Sequence, residues 1–543
     1  MNPVPHVLTV WLEEHFQLRP PGRRVPERHW DRFPSRLSRN ADAALALFDR
    51  AKARATFFAG GWVASRHPEV LRRIAEAGQE VACLPDPPSS RLAGEAVEGA
   101  AAARAQVEAA AGRAVAGCRI SAPGDWDGCR LALRDAGFLY ECSLSRGSFG
   151  ESPPAVPGGL MRLPVPARGF AGTAWAVSGG AALRMLPEGV AVRWLADRLG
   201  REGGTVFDFR LWELDPDTPR LSVLSPAQAL ACYRNLDRFG DRLASLLDAG
   251  RFVPARAHFG LADEAASATG VAVPQVAPRR PAPERPDLSA RPRDPLTIVI
   301  PCFNEEAGLA YLANALDGLD RGLGRRYRLS YVLVDDGSTD GTWAGMDRLF
   351  GADPRFRLIR HVRNRGIGAA VLTGIAAAPD EVVAVMDSDC SYDPARLEDM
   401  VPLLGADVAL VTASPYHADG GVEGVPEWRL VLSRGASRLY RVVLRNKLAT
   451  YTSCFRVCRK SALAGLKLRH EGYIGVVEML ARLDLAGWRI VEHPVLLETR
   501  FFGRSKLKIL RAIAGHLRFL GEISLAQING RRRLVRVSRL KSE

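Results

Sequence analysis

The sequence predicts an α/β protein of two domains, and three observations carry that prediction. Short, β-branched apolar runs alternate with segments of helical spacing in both halves of the chain. A stretch rich in Pro and Arg, residues 262–294, separates the halves and has no apolar period, as expected of an extended spacer. In the second half, clusters of Asp, Asn and Gly follow the ends of successive apolar runs, where open α/β sheets bind their ligands.

The totals bound the function. At 543 residues the chain is long enough for two or more domains, each with its own core. The net charge of +14 favours anionic partners, such as a nucleotide or a phospholipid surface. A nucleic-acid partner is not expected, because no binding module is recognisable and few aromatics lie among the bases. Nine Cys without a Cys-x-x-Cys pair argue against a disulfide framework or a zinc site, and point to a reducing compartment. Residues 1–10 lack the basic start and long apolar run of a signal peptide, and no run is long enough to span a bilayer. The expected location is cytoplasmic, with any membrane contact peripheral at its inner face.

In the first half, Val7–Val10, Ala55–Phe58 and Val81–Leu84 read as strands. Ala41–Arg54 and Pro68–Ala77 read as helices, the second stopped by Gly78. The alternation continues through Leu131–Ala136 and describes an α/β unit, for which a barrel is one form. The segments Leu8–Phe16, Ala55–Phe58, Gly61–Ala64, Ala77–Ala82, Phe207–Arg210, Trp212–Pro216 and Asn235–Arg238 resemble the polysaccharide deacetylase family. The resemblance implies a (β/α) barrel over residues 1–261. The family's chemistry does not come with it. Trp11 stands where the family has its Asp base, Glu14 where it has a metal-binding Asp, Leu84 and Pro88 where it has two His, and Arg210 where a further His is expected. No two of the ten His are four residues apart. Without imidazole ligands, no bound metal lowers the pKa of a hydrolytic water. This half is therefore expected to be a degenerate domain. A retained deacetylase activity and a scaffold without catalysis are the competing readings.

In the second half, Leu296–Ile300, Tyr331–Val334 and Arg357–His361 read as strands, and the run Val382–Asp389 as a fourth. The fourth ends in Asp387 and Asp389. Alternation turns residues i and i+2 to one side, so both carboxylates face one point beyond the strand end. Two hard oxygen ligands suit Mg²⁺ or Mn²⁺ shared with phosphate. The alternative is a solvated acidic turn. Asn304-Glu305-Glu306, Asp335-Asp336-Gly337 and Asn364-Arg365-Gly366 follow the other three strands.

These motifs, in this order over residues 295–525, resemble glycosyltransferase family 2, a GT-A (Rossmann-like) fold, and within it the dolichyl- or polyprenyl-phosphate mannosyltransferase branch. The resemblance implies that Pro301, Asn304 and Glu305 line a nucleotide pocket. It implies that Asp335 or Asp336 takes base and ribose, with Asn364 and Gly366 nearby, and that Asp387 and Asp389 hold the metal on the donor diphosphate. Ser433–Ser437, with Arg434, resembles an acceptor-side helix. Thr452–Arg456 resembles Thr-Ser-Gly-Phe-Arg, with Cys454 at the Gly position. Glu471-Gly472-Tyr473 with Glu478 resembles a stretch that contacts sugar and acceptor, and Arg504-Ser505-Lys506 a phosphate-meeting motif. The third metal ligand that the family often carries is replaced by Ser391. The implied function is inverting transfer from a nucleotide-sugar donor to a polyprenyl-phosphate or glycan acceptor. A lipid phosphate needs no strong base; a sugar hydroxyl needs one, for which Glu478 is the candidate. Residues 526–543 form a basic tail. The apolar positions Leu507, Leu510, Ile513, Leu517 and Leu520, flanked by bases, suggest contact with an anionic membrane surface.

Overall fold

The computed structural model describes residues 5–18, 24–86, 93–120, 130–145, 159–170, 173–176, 179–187, 190, 206–261, 293–464, 466, 468–503 and 513–525. Nearly all of the 262–294 stretch, the 526–543 tail, Pro88, Arg504, Ser505, Lys506, Leu507 and Leu510 lie outside the described residues. The chain divides into two units, Met1–Pro26 with Ser35–Pro283 and Glu27–Pro34 with Glu284–Glu543.

The first unit is built on β1 (His6–Leu12), β2 (Thr56–Ala59), β3 (Glu80–Cys83), β4 (Gly117–Ile120), β5 (Tyr140–Ser145), β6 (Met161–Phe170), β7 (Thr173–Ala176), β8 (Val206–Arg210) and β9 (Phe252–Val253). The sheet order is β7-β6-β5-β4-β3-β2-β1-β8, with β9 beside β1. Every pairing is parallel except β6 with β7. Parallel strands need crossovers, and helices Leu37–Arg50, Pro68–Glu76, Ala93–Ala111 and Arg130–Asp135 supply them. Both faces of β1 are therefore buried. Leu8, Val10 and Leu12 pack with Phe48, Leu71 and Ile74 on the helix side. Val7 and Trp11 pack with Phe58, Ala82, Leu84 and Tyr140 on the other. The first helix begins one turn earlier than its apolar spacing suggests. The cap comes from a distance: Glu14 Oε1 accepts from the backbone N–H groups of Arg36 at 2.8 Å and Leu37 at 3.1 Å.

The second unit is built on β10 (Asp294–Cys302), β11 (Tyr327–Asp335), β12 (Phe356–Arg360), β13 (Val382–Val385), β14 (Val408–Ser414), β16 (Arg456–Arg459) and β17 (Arg489–Pro494), in the order β12-β11-β10-β13-β16-β14-β17. Only β16 runs antiparallel to its neighbours. The chain winds from β10 outward to β12 and returns beside β10 as β13, so the strand order switches between β10 and β13. This is the Rossmann-like arrangement of a GT-A fold. Val299, Val332, Val334, Val383 and Val385 pack under helices Ile367–Ala377 and Tyr473–Leu485. A small parallel pair, β15 (Gly421–Glu423) with β18 (Leu496–Glu498), stands apart. Among the described residues no helix is long and apolar enough to cross a membrane.

Candidate functional site

The C-terminal edge of β10, β11 and β13 collects the polar side chains of the second unit. After β10 the chain turns sharply at Asn304, which takes φ +52°. Its amide donates to Ser338 Oγ at 2.8 Å, and its Oδ1 accepts from Thr339 N–H at 2.7 Å. The loops after β10 and β11 are thereby tied together. Pro301 is buried within β10, opposite Val334. The Glu305 amide donates to Thr342 Oγ1.

The two carboxylates after β11 do different work from one another. Asp335 is fully buried, accepts from Ser338 N–H at 2.9 Å and pairs with Arg360 at 3.1 Å. Asp336 accepts from His361 Nδ1 at 2.7 Å, Asn364 Nδ2 at 3.0 Å, Arg365 N–H at 3.0 Å and Gly366 N–H at 2.7 Å. Asp336 thus shapes the 361–366 loop. Gly337, at φ +69°, admits that loop: a Cβ there would lie 2.4 Å from the Arg363 carbonyl carbon. Gly366, at φ +100°, starts helix Ile367–Ala377 and lies against Gly472 and Glu471.

Beyond β13, Asp387 and Asp389 form the electrostatic centre. Burial pushes the Asp387 carboxyl up to about 7, helped by the negative charges of Asp389 and Glu305 and opposed by Arg500 and Arg456. Asp389 accepts from Ser391 N–H at 3.0 Å and pairs with Arg500 Nη2 at 2.9 Å. Cys390, between Asp389 and Ser391, takes φ +50°, the left-handed region that a branched backbone enters at a cost of about 1–3 kcal/mol. The donor set fits Mg²⁺ or Mn²⁺ held by two carboxylates, with substrate oxygens completing the shell. Among the described residues no group of three or more His, Cys, Asp or Glu makes an all-protein metal cage. Gly503 lies beside Glu305, where a Cβ would be 3.8 Å from Oε2. The described chain reaches this centre at Gly503; Arg504, Ser505 and Lys506 lie outside the described residues.

Arg500 was not among the residues the sequence pointed to. A lone base in Thr-Arg-Phe-Phe has no spacing signature; its position three residues before Gly503 was the only signal. Arg434 lies elsewhere. It stacks on Tyr416 at 5.0 Å and, with His417, Ser437, Arg438 and Arg441, lines a pocket of about 430 Å³. Glu478 is fully buried. It accepts from the Arg469 and His470 amides at 2.8 and 2.9 Å, from His470 Nδ1 at 3.0 Å and from Arg482 Nη2 at 3.0 Å. Burial pushes its carboxyl up, and these donors more than offset that, leaving it below the ordinary value. Such a carboxylate organises the 469–471 turn and has no free edge to take a proton.

Comparison with known proteins follows this geometry. The family model "Glycosyl transferase family 2" matches residues 297–466. A polyprenol monophosphomannose synthase from Mycolicibacterium smegmatis is 30% identical over 226 residues, 40% of this chain and 83% of that protein. The chain belongs to glycosyltransferase family 2. A dolichol-phosphate mannosyltransferase from Pyrococcus furiosus is likewise 30% identical to this family 2 chain, over 238 residues; the match spans 65% of that protein's length and 42% of this chain. Among solved structures, glucosyl-3-phosphoglycerate synthase from Mycobacterium tuberculosis, in complex with Mn²⁺, UDP-glucose and phosphoglyceric acid, is 24% identical, with 42% of this chain and 80% of that chain covered and a TM-score of 0.32. In the first half of this family 2 protein, the model "Polysaccharide deacetylase" matches residues 24–83 and "Domain of unknown function (DUF3473)" residues 147–260.

The deacetylase-like edge of the first unit has a different character. The Trp11 indole lies between two guanidiniums, Arg119 at 4.3 Å and Arg210 at 4.7 Å. Its Nε1 donates to Asp208 at 3.0 Å, and Asp208 also accepts from Thr9 Oγ1 at 2.7 Å and Arg119 Nη2 at 3.0 Å. Arg210 is paired with Glu13. Glu14 is committed to Ser35 Oγ and to the helix N-terminus at Arg36 and Leu37. Burial holds the His15 imidazole neutral, at about 3. Leu84 is packed in the same apolar cluster as Trp11. These residues do not suit a metal: Asp208, Glu13 and Glu14 are each engaged by hydrogen-bond donors or a guanidinium, and the family's His positions among the described residues carry Leu84 and Arg210.

Proposed function

We propose that the second unit transfers a sugar, with inversion, from a nucleotide-sugar to a polyprenyl phosphate, using a divalent cation at Asp387 and Asp389. The observation that carries this reading is the pair itself, two like charges on one strand end with Asp387 driven up to about 7. A cation bound there supplies positive charge for the leaving diphosphate. The chain's own residues divide the remaining work. Arg500 steadies Asp389. Asn304, Ser338 and Asp336 shape the loops that would clasp the nucleoside. Arg434, Arg438 and Arg441 have no acidic partner among the described residues and offer three cations to an anionic acceptor. The committed hydrogen bonds of Glu478 favour an acceptor that is already ionised over a sugar hydroxyl that needs a base. Nucleotide-sugars screened with and without Mn²⁺, read by released nucleoside diphosphate against a polyprenyl phosphate, test this. No release from any donor overturns it.

The same reading makes the first unit a domain without deacetylase activity, supported by the filled Trp11–Asp208 site. It also makes the protein a visitor to the membrane surface. On helix Glu427–Val443, Trp428, Val431, Leu439 and Val442 form one exposed apolar stripe, with Arg434, Arg438 and Arg441 along its flank. The stripe expected around 507–520 is divided in its described part: Ile513 and Leu517 are exposed, whereas Leu520 packs with Phe519 and Ile523 in the core. Flotation with anionic liposomes at low salt tests the association, and a protein that stays at the bottom of the gradient overturns it.

A further inference from the structure

Residues 27–34 come early in the sequence, yet they are part of the second unit. They make four kinds of contact there. Arg32 Nη2 donates to Asp393 Oδ1 at 2.6 Å. His29, fully buried, places Nε2 3.0 Å from both oxygens of Glu498. Arg28 pairs with Glu498 and with Glu423. Phe33 packs against Tyr311, Phe501 and Phe502 at centroid distances of 4.9, 5.7 and 5.6 Å.

These partners bracket the carboxylate pair. Asp393 lies four residues beyond Asp389, on the far side of the strained Cys390. Glu498 lies two residues before Arg500, which holds Asp389, and its amide donates to the Ser391 carbonyl at 2.9 Å. Phe501 and Phe502 follow Arg500 directly. A left-handed non-glycine residue persists only where its surroundings over-determine it. Here the surroundings include two grips from one remote segment, Arg32 on the outgoing side of the loop and His29 with Arg28 on the strand behind it. Burial pushes the Glu498 carboxyl up, and the bonds and charges of His29 and Arg28 more than offset that. The grip is therefore on a carboxylate, held by His29 and Arg28.

We infer that Glu27–Pro34 is a positioning element of the transferase site: Arg32 and His29 hold the Asp387–Asp393 loop and the Arg500 strand end in the geometry that binds a divalent cation. The inference rests on the transferase reading above. It also says that a fragment beginning after the Pro/Arg-rich stretch carries the family 2 residues without a working metal loop.

The test uses the full chain. Mn²⁺ binding is followed by loss of the free-ion EPR signal in the presence of UDP or GDP. In Arg32→Ala and in His29→Ala the Mn²⁺ affinity is expected to fall about tenfold, the scale typical when partners behind a metal ligand are lost. His29→Gln, whose amide still donates to Glu498, restores most of it. Arg39→Ala, which removes an ion pair to Asp215 in the first unit, leaves it unchanged. Amides at 391–393 and 498–500 lose hydrogen-exchange protection in the two Ala variants. If either Ala variant fails to fold, Asp393→Asn attacks the same pair from its other end, and the same fall in affinity is expected. Wild-type Mn²⁺ affinity in Arg32→Ala and His29→Ala, or in Asp393→Asn, overturns the inference. A wild-type chain that binds no Mn²⁺ with either nucleotide overturns the transferase reading instead.

Discussion

The two units carry buried carboxylates on or just beyond parallel strands, Asp208 within β8 and Asp387 after β13, and treat them in opposite ways. Asp208 on β8 receives a hydroxyl, an indole N–H and a buried guanidinium. Its charge is fully answered, so it has nothing to offer a ligand. Asp387, after β13, faces Asp389 and Glu305 with Arg500 and Arg456 as the opposing charges, and holds its proton up to about 7. Its charge is under-answered, and under the proposed function a cation would complete it. The lesson is that a site is recognised by the electrostatic balance it lacks, more than by the residue types it contains. Trp11 carries the contrast: one indole has two guanidiniums, Arg119 and Arg210, against its ring.

The comparison is broken most directly at the centre of the second unit. Asp389→Ala or Asp387→Asn is expected to lower transfer by about 10²–10³-fold or more, with metal-dependent nucleotide binding lost. Released nucleoside diphosphate and a binding isotherm with and without EDTA report it. In the first unit the counterpart, Asp208→Ala, strands the buried Arg119 and is expected to cost about 3–5 kcal/mol of stability while transfer per folded molecule is unchanged. Denaturant unfolding followed for the first unit measures this. Acetate release from acetylated glycans by the wild-type chain, lost on mutating Glu14, would break the contrast altogether. Gly337→Ala sharpens it from the backbone side: a Cβ pressed on Arg363 and Asn364 is expected to cost about 1–3 kcal/mol and to weaken nucleotide binding with the metal site intact.

The pH dependence is a smaller effect and has a definite sign. Folded Asp387 keeps its proton up to about 7, whereas the unfolded carboxyl releases its proton near the ordinary carboxylate range of about 4. Between those values the folded state binds more protons, so metal-free stability falls as pH rises and levels off above about 7. Melting temperatures in EDTA from pH 4.5 to 8 should show the fall. Asp387→Asn, or Mn²⁺ with UDP or GDP, should flatten it. The smallest change is expected at the surface: Val431→Asp with Leu439→Asp lowers liposome flotation several-fold and leaves nucleotide binding at the wild-type level.

Much of the fold was legible because both halves state their strands in β-branched runs. Leu296–Ile300 and Tyr331–Val334 lie inside β10 and β11, whereas the strand expected over Val382–Asp389 stops at Val385, and Asp387 and Asp389 stand in the loop beyond it. Pro68–Glu76 ends where Gly78 takes φ +74°. Trp11 and Leu84, expected at positions where the deacetylase family has a base and a His, are both buried in one apolar cluster. What was not legible was satisfaction. Asp336 and Glu478 read as ligand-facing acids, yet each spends its oxygens on backbone and side-chain donors of a nearby loop. Hydrogen-bond occupancy is a property of three-dimensional neighbours and leaves no spacing. Arg500 and the Glu27–Pro34 segment were silent for the same reason. One is a single base without a motif, and the other is separated from its partner Glu498 by 469 residues in the case of His29.

That separation has a cost in time. Residues 27–34 leave the ribosome well before Glu498, which follows after roughly 20–90 s at about 5–20 residues per second. Until then the segment lacks its grip on Glu498 and its packing on Phe501 and Phe502, and Phe33 has Tyr311 beside it. The first unit can complete its sheet around that gap, because β1 and β8 pair without it. The transferase finishes last, by a loop closure spanning nearly the whole chain, the kind of contact that slows folding most. A nascent chain paused before β18 should therefore present an ordered first unit and a loosely held 27–34 segment, open to a protease until the final strand arrives.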